Sequence, residues 1–182
     1  MEKKYKLTEE TINVYGITLH RIEALKDFAN IKKGEKGGFI EDEKNLSQSD
    51  DCWIYGNAKV FGNAKVFINA NIYGNAQVYN NAKVFGNAEV RGNAHVYDDA
   101  MVYGNAKVYD KAIICGDAMV YNNAEIYGSA EVYDDAKVYD NAQVYDNAQV
   151  YEDADVYGNA RIYGNARVYG YALVCDNTKL CD

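Results

Sequence analysis

The sequence predicts an all-β protein, a parallel β-helix, and three observations support this fold class. An aliphatic residue recurs every six positions from Ile54 to Leu180, 22 times without exception. Alanine recurs with the same period, 20 times in succession from Ala58 to Ala172. The residue after the aliphatic is Tyr or Phe in 18 of the 22 hexads. An uninterrupted six-residue period of this kind is typical of a hexapeptide β-helix.

Each hexad is predicted to form one short strand and one bend. The alanine and the next aliphatic are two positions apart, so they face the same side of an extended segment and fill the interior. The mostly polar residue between them faces outward, and so does the aromatic residue after the aliphatic. A Gly, Asp or Asn then precedes, in most hexads, an Asn. These residues suit a corner because they adopt positive φ at low cost.

Three hexads are predicted to make one coil. The second corner residue is Asn in most hexads but Asp at four places that are 18 residues apart: Asp99, Asp117, Asp135 and Asp153. A deviation that recurs every third hexad indicates three sides per coil, and it places these four carboxylates in one column. The hexads then give about seven coils, a triangular prism about 35 Å long at a spacing of ~4.8 Å per coil.

The chain divides into an N-terminal module, residues 1–50, and the repeat, residues 51–182. In the module, "INVYGITLHRIEAL" predicts two strands that pair as a hairpin around Tyr15-Gly16, and "KKGEKGG" predicts a loop. Near-identical hexads can slip against one another at little cost. We therefore expect this small β-rich module to cap the first coil and fix the register, as terminal caps do in solenoids.

The hexads of residues 52–182 resemble the left-handed parallel β-helix of the hexapeptide-repeat family. The stretch "DFANIKKGEKGGFIEDEKNLSQSDDCWIYGNA" is similar to the N-terminal module of a bacterial and prophage group labelled uncharacterised hexapeptide acetyltransferase. The pieces "GGFI", "NLSQ" and "CWIY" carry that likeness. The resemblance implies a left-handed coil, a phage or prophage origin, and an acyltransferase that uses acetyl-CoA as one candidate function.

Composition narrows the classes of partner. The net charge of −8 argues against nucleic-acid binding, which needs a basic surface. We expect no membrane span, because the longest apolar runs fall far short of 18 residues. The start, "MEKKYKLTEE", lacks the apolar segment of a secretory signal. The four cysteines lack zinc-type spacing, so free thiols in a cytoplasmic protein are expected.

The acidic corner is the candidate metal site. It consists of the column residues and their acidic neighbours: Asp98, Asp99, Asp117, Asp134, Asp135, Glu152 and Asp153. Carboxylate oxygens suit hard cations, so a row of Ca²⁺ sites is one interpretation. The other is a solvated corner in which Asp replaces Asn with similar turn propensity. Apart from this Ca²⁺, no cofactor is expected.

His95 is the weak catalytic candidate. Acyltransferases of the resembled family use a histidine at a subunit boundary, assisted by loops that interrupt the coils. Here no loop interrupts the hexads, and no basic cluster is ready for the phosphates of coenzyme A. A general base also needs a positioned partner and a pocket, and the sequence shows neither. The sequence therefore favours a non-enzymatic protein, with acetyl-CoA a ligand only under the acyltransferase alternative.

Two apolar groups are candidate interfaces. The first group lies along the side of the stack, with Met101, Met119, Tyr103 and Tyr121 on one side of the coils and Ile113 on the adjacent side. Such an exposed apolar group is a candidate for a lateral interface. Tyr171, Leu173 and Leu180 mark the last coil, where an unpaired strand edge favours pairing with a second copy. The outward tyrosine columns are either stacked stabilising ladders or a recognition surface.

The sequence as a whole predicts a rigid, non-enzymatic scaffold or binding protein that associates with itself. A homodimer through the C-terminal coil, or a trimer, is expected, and a host protein is a further candidate partner. Two alternatives stay open at this point: an acyltransferase of the hexapeptide class, and a polymerising structural protein.

Overall fold

The computed structural model describes residues 2–182, and its regular secondary structure is almost entirely β-strand. The N-terminal strands are β1 (Tyr5–Val14), β2 (Ile17–Ala24) and β3 (Lys36–Ile40), and a single 3-10 turn follows at Glu43–Asn45. The other 22 strands come one per hexad: β4 (Trp53–Ile54), β5 (Lys59–Val60), β6 (Lys65–Val66), β7 (Asn71–Ile72), β8 (Gln77–Val78), β9 (Lys83–Val84), β10 (Glu89–Val90), β11 (His95–Val96), β12 (Met101–Val102), β13 (Lys107–Val108), β14 (Ile113–Ile114), β15 (Met119–Val120), β16 (Glu125–Ile126), β17 (Glu131–Val132), β18 (Lys137–Val138), β19 (Gln143–Val144), β20 (Gln149–Val150), β21 (Asp155–Val156), β22 (Arg161–Tyr163), β23 (Arg167–Val168), β24 (Leu173–Val174) and β25 (Lys179–Cys181).

These strands form three sheets, which the chain visits in turn. Sheet A has the order β1-β2-β3-β5-β8-β11-β14-β17-β20-β23, sheet B the order β6-β9-β12-β15-β18-β21-β24, and sheet C the order β4-β7-β10-β13-β16-β19-β22-β25. The repeat strands pair in parallel at steps of 18 residues, as where Val96 pairs with Val78 and with Ile114. This register confirms a parallel β-helix with three hexads per coil. The left hand of the coil and its triangular cross-section stay predictions.

The interior consists of the two small apolar columns that the period predicts. Every repeat aliphatic from Ile54 to Ile162 is at most 1% exposed, and every repeat alanine from Ala58 to Ala160 is fully buried. Burying an aliphatic side chain contributes about 1.5–3 kcal/mol. The stability of the stack is therefore spread over many equivalent sites.

The corners use the left-handed backbone region throughout. From residue 56 to residue 176, the first corner residue of every hexad has φ between 57° and 74°. Gly, Asn and Asp occupy most of these positions, as expected of residues that tolerate this region. Ile68, with φ of 64°, is the β-branched exception.

The stack has about eight coils, one more than the hexads alone give. The additional first coil comes from β3, Leu46 and β4: Ile40 pairs with Val60, and Leu46 with Val66. Both pairs are 20 positions apart, whereas Ile54 of β4 pairs with Ile72 after 18. The two extra residues between Leu46 and Ile54 interrupt the six-residue period, so the sequence pattern does not indicate this coil.

The N-terminal module is β-rich, as predicted. β1 and β2 form the expected antiparallel hairpin, with Val14 opposite Ile17. The predicted "KKGEKGG" loop is only partly correct, because its last residues, from Lys36, belong to β3. Gly37 and Gly38 are required there, since a Cβ at either position would lie within 2.7 Å of neighbouring atoms. The module therefore continues sheet A directly and sets the register of its first repeat strand.

An aromatic cluster closes the core at the module. The Trp53 ring is fully buried and packs edge-on against Tyr5, at 6.2 Å between ring centroids, and against Phe28, at 5.3 Å. The buried side chain of Asn45 donates to the carbonyl oxygens of Gly62 and Ala64, at 3.1 and 2.9 Å. These contacts cover the open end of the core and satisfy backbone groups that the first coil would otherwise leave unpaired.

Candidate functional site

The outward aromatic residues form stacked columns, one on each sheet. On sheet B six rings stack in succession, with centroids 4.8 to 5.1 Å apart: Phe67, Phe85, Tyr103, Tyr121, Tyr139 and Tyr157. On sheet C the longest run is Tyr109, Tyr127, Tyr145 and Tyr163, and on sheet A it is Phe61, Tyr79 and Tyr97, then Tyr133, Tyr151 and Tyr169. The predicted tyrosine columns are thus confirmed.

This stacking decides which part of a tyrosine can meet a ligand. Within a column each ring face contacts the next ring, as between Tyr103 and Tyr121, which are parallel within 3°. Only ring edges and hydroxyl groups face solvent. Burial raises the pKa of Tyr121 to about 12, and the neighbouring Tyr103 is the second cause of this increase. The hydroxyl is therefore neutral near pH 7, and a stacking ligand finds a free ring face only where a column ends or breaks.

Two columns break inside the stack, and the breaks differ. On sheet C, Arg91 takes the aromatic position, and its guanidinium carbon lies 4.6 Å from the centroid of the Tyr109 ring. On sheet A, Cys115 takes that position between Tyr97 and Tyr133. Burial raises the pKa of the Cys115 thiol, so the thiol form dominates near pH 7. Arginine can continue a stack with its planar group, and cysteine cannot.

The acidic column lies at the corner that leads from sheet A to sheet B, which we call the A–B corner. Because β11, β14, β17 and β20 pair in register, their following corner residues Asp99, Asp117, Asp135 and Asp153 align along it. The neighbouring carboxylates have partners: Asp98 accepts from the Asn80 amide at 2.8 Å, and Asp134 from the Glu152 backbone N–H at 3.3 Å. Within residues 2–182, no group of three or more His, Cys, Asp or Glu side chains is placed to hold a metal ion. Calcium binding by Asp98, Asp99, Asp117, Asp134, Asp135, Glu152 and Asp153 stays a prediction.

An asparagine ladder runs along the corner between sheets B and C. Each side-chain amide donates to the next side-chain oxygen at 3.0 to 3.2 Å, through Asn69, Asn87, Asn105, Asn123, Asn141 and Asn159. The sequence predicts these residues as turn formers only. Their recurrence every 18 residues was the signal that could have revealed the ladder.

His95 lies half-buried on sheet A, between Gln77 and Ile113 in the register. Its ring meets the Tyr79 ring edge-on, at 6.2 Å between centroids. Burial, and then the Lys59 ammonium, lowers the pKa of His95, so the imidazole is neutral near pH 7. A neutral imidazole has the protonation state of a general base. No residue that the structure describes forms a carboxylate–imidazole ion pair or hydrogen bond with it. A catalytic role stays untested.

Four of the five predicted lateral interface residues come together on sheet B. Met101 and Met119 pair in register on sheet B, beside the stacked rings of Tyr103 and Tyr121. Ile113 lies on the adjacent sheet A, also half-buried. In the last coil, Tyr171 is 86% exposed, Leu173 67% and Leu180 36%. These two groups are the apolar surfaces that a partner or a second copy can contact.

The comparison with known families agrees with this geometry. The family model described as a YdcK beta solenoid repeat matches residues 154–170 and 160–176 of the chain. Both matches lie within the parallel coils of the three sheets. The chain is a β-solenoid. No curated protein matches it. The solenoid is thus established by its repeat and its register, and the grouping with hexapeptide acetyltransferases stays a resemblance. Among residues 2–182, the structure has no helix long and apolar enough to cross a membrane.

Proposed function

We propose that this β-solenoid is a rigid, non-enzymatic scaffold that binds a protein partner through its outer faces. The observation that supports the proposal most is the six-ring column on sheet B beside Met101 and Met119. Tyr, Met and Arg are enriched at protein interfaces, where they offer large contact area with a polar edge. An extended stripe of such residues suits a protein partner better than an enclosed small-molecule pocket.

The rigidity of the face is part of the proposed role. The backbone of each coil bonds to the next, as where the Met101 N–H donates to Ala118 at 2.9 Å and the Tyr103 N–H to Val120 at 3.0 Å. A surface held in this way loses little conformational entropy when a partner binds. The columns then present their side chains at a fixed spacing of ~4.8 Å, which a partner can match without ordering a loop.

The resemblance to a prophage group supports a host protein as the partner, and the charge of the chain narrows its chemistry. The protein carries a net charge of −8, and acidic residues concentrate on the A–B corner. Complementary charge increases the rate of association and selects among partners. We therefore propose a partner with a basic contact surface.

Self-association is the second part of the proposal. Tyr171, Leu173 and Leu180 expose apolar surface on the last described coil, next to strand edges that carry free backbone groups. A second copy that pairs end to end would cover both. Light scattering coupled to size exclusion tests this: Leu173→Asp should convert a dimer to a monomer, while Gln143→Asp on sheet C should leave the mass unchanged. A trimer, or growth with concentration, would instead support the trimeric or polymeric form.

Partner binding is tested by comparing captured proteins, identified by mass spectrometry, across three baits. The wild type and Gln143→Asp should capture one common protein, and Met101→Asp should lose it while melting at the same temperature. Capture that is equal with all three baits would contradict the proposed face. The acyltransferase alternative rests on neutral His95, and it predicts a thermal shift with acetyl-CoA that His95→Gln abolishes.

A further inference from the structure

Tyr97 and Tyr133 belong to one aromatic column on sheet A but lie two coils apart, because Cys115 occupies the position between them. The column is undisturbed on both sides of this break. Tyr97 is parallel with Tyr79 within 6°, and Tyr133 with Tyr151 within 1°. The two rings that border the break therefore keep the orientation that a continuous column would give them.

The space between these rings has the dimensions of one missing ring. Two coil spacings separate Tyr97 from Tyr133, about 9.6 Å. A planar group placed midway would lie about 4.8 Å from each ring, within the range for stacked pairs. Rings in the unbroken parts of this column are 4.9 to 5.3 Å apart. The Cys115 side chain ends at Sγ, within reach of the Tyr97 hydroxyl, and it places no ring between the two tyrosines.

The same coil also lacks its corner side chain. Gly116 occupies the A–B corner position that Asp98 fills one coil before and Asp134 one coil after, and all three have left-handed φ. The register is direct, since the Asp99 N–H donates to the Gly116 carbonyl at 3.0 Å. The gap in the column comes from the missing ring at Cys115, and it borders a corner where the backbone packs closely, since a Cβ at Gly116 would lie 2.7 Å from the Asp134 nitrogen. We call this gap, with its corner, the Cys115–Gly116 notch.

The walls of the notch favour a planar cation. Its long sides are the faces of Tyr97 and Tyr133, and a ring face attracts a cation placed over it. Its corner side is bordered by Asp98 and Asp134, with Asp117 on the same coil exposed next to Gly116. A flat, positively charged group thus meets two ring faces and carboxylates together, and a neutral ring would use only the faces.

The molecule already places one such cation in an equivalent position. On sheet C the column is interrupted at Arg91, and the guanidinium lies 4.6 Å from the centroid of the Tyr109 ring. A guanidinium therefore fits the level of a missing ring in this fold. Lysine is a weaker candidate, because its ammonium is compact and strongly hydrated and does not stack.

We infer that the Cys115–Gly116 notch binds the guanidinium of an arginine side chain from a protein partner, stacked between Tyr97 and Tyr133 and paired with Asp98 or Asp134. The inference rests on the proposed function, since it names the chemistry by which a basic partner would be held. It places the most specific contact on sheet A, at the corner that borders the Met101–Met119 surface of sheet B.

The experiment uses the full chain with ¹³C-labelled tyrosine rings and N-acetyl-arginine amide as the probe. The ring resonances of Tyr97 and Tyr133 should shift in a saturable way, and N-acetyl-lysine amide should bind about ten-fold more weakly. Cys115→Tyr supplies the missing ring from within and should abolish these shifts. Cys115→Ala leaves the notch open and should bind the arginine probe within about two-fold of the wild type.

Three results would overturn the inference: no saturable shift at either ring, equal binding of the lysine probe, or unchanged binding to Cys115→Tyr. Cys115→Tyr is expected to fold, because Tyr or Phe stands at this position in 18 of the 22 hexads. Its melting temperature checks this directly. The probe needs no partner protein, so failure of the notch is distinguishable from failure of partner capture, which tests the proposed function alone.

Discussion

The buried ammonium group of Lys4 lies 3.0 Å from the backbone carbonyl oxygen of Cys52, and this contact ties the N-terminal module to the start of the repeat. The same group donates to the Asp50 carbonyl at 2.5 Å. Lys4 is only 2% exposed, and burial lowers its pKa. A charged side chain is rarely buried unless it is fully hydrogen-bonded. Lys4 therefore has a structural role that local sequence does not reveal.

Lys4→Met keeps the length of the side chain but removes its donors. Two carbonyl oxygens would lose their partner in a buried site, and we expect a loss of about 1–3 kcal/mol in the free energy of unfolding. Urea denaturation at pH 7 measures it. Lys6→Met is the matched control, because Lys6 makes a surface ion pair with Glu23, and such pairs contribute about 0–1 kcal/mol. Equal losses for the two variants would contradict the role of Lys4.

The pH dependence of the Lys4 contribution has a definite sign. The pKa of Lys4 is below its usual 10.5 in the folded state, so the unfolded chain binds more protons in the interval between the two values. Stability contributed by this group therefore rises with pH across that interval. The difference in unfolding free energy between wild type and Lys4→Met should grow as pH approaches 10.5. A constant difference from pH 7 to pH 10 would be inconsistent with a lowered pKa.

The uniform core predicts a graded response to the same substitution at different coils. Val108 is fully buried and pairs with Val90 and Ile126, whereas Val174 in the last coil is 8% exposed. Val108→Ala should cost about 2 kcal/mol, and Val174→Ala less, because the last coil can relax around the lost methyl groups. Val108→Asp buries an unpaired carboxylate and should abolish folding, seen as loss of the β signal in circular dichroism. Comparable losses at both valines would show that the end of the stack is as constrained as its middle.

Much of this architecture is readable in the sequence, and the exceptions have physical causes. The step of 18 residues is indicated by Asp99, Asp117, Asp135 and Asp153, because keeping the apolar face inside allows a step of any multiple of six. The six-residue period does not predict the first coil, because the chain inserts two residues between Leu46 and Ile54. The sequence does not predict the Lys4 contact, because 48 residues separate Lys4 from Cys52 along the chain.

The candidate site is likewise only partly predictable from the sequence. The tyrosine columns follow from the period, since each outward position recurs on its own sheet. The sequence does not predict the notch, although one sign of it is visible: Cys115 replaces the Tyr or Phe that follows the aliphatic in most hexads, and a glycine comes next. The sequence does not predict the orientation of the rings that border the notch. Side-chain packing decides whether the Tyr97 ring stays in its column or tilts over the smaller Cys115.

Ile68 gives a prediction about backbone strain. Its φ of 64° lies in the left-handed region, where a β-branched residue is an outlier, and it is 42% exposed. Ile68→Asn should raise the free energy of unfolding by about 0.5–1 kcal/mol, since relief of about 1–2 kcal/mol exceeds the loss of partial burial. The reciprocal change at the next coil, Gly86→Ile, should destabilise, because a Cβ there lies 2.9 Å from the Gly104 nitrogen. Thermal melts of both variants should move in opposite directions, and a shared direction would exclude strain as the cause.

The tyrosine columns predict how the solenoid fails in alkali. Burial raises the pKa of Tyr109 and of Tyr121 to about 12, against 10 in the unfolded chain. The folded protein therefore holds these protons between pH 10 and about 12, and stability that is complete below pH 10 is lost across that interval. Absorbance of tyrosinate at increasing pH should rise together with loss of the β signal. Tyr121→Phe keeps the stacked ring and should leave stability at pH 7 within about 0.5 kcal/mol of the wild type while reducing the alkaline loss. Ionisation near pH 10 with the fold intact would contradict the stacking model, because it would mean that the hydroxyls are solvated as in the unfolded chain.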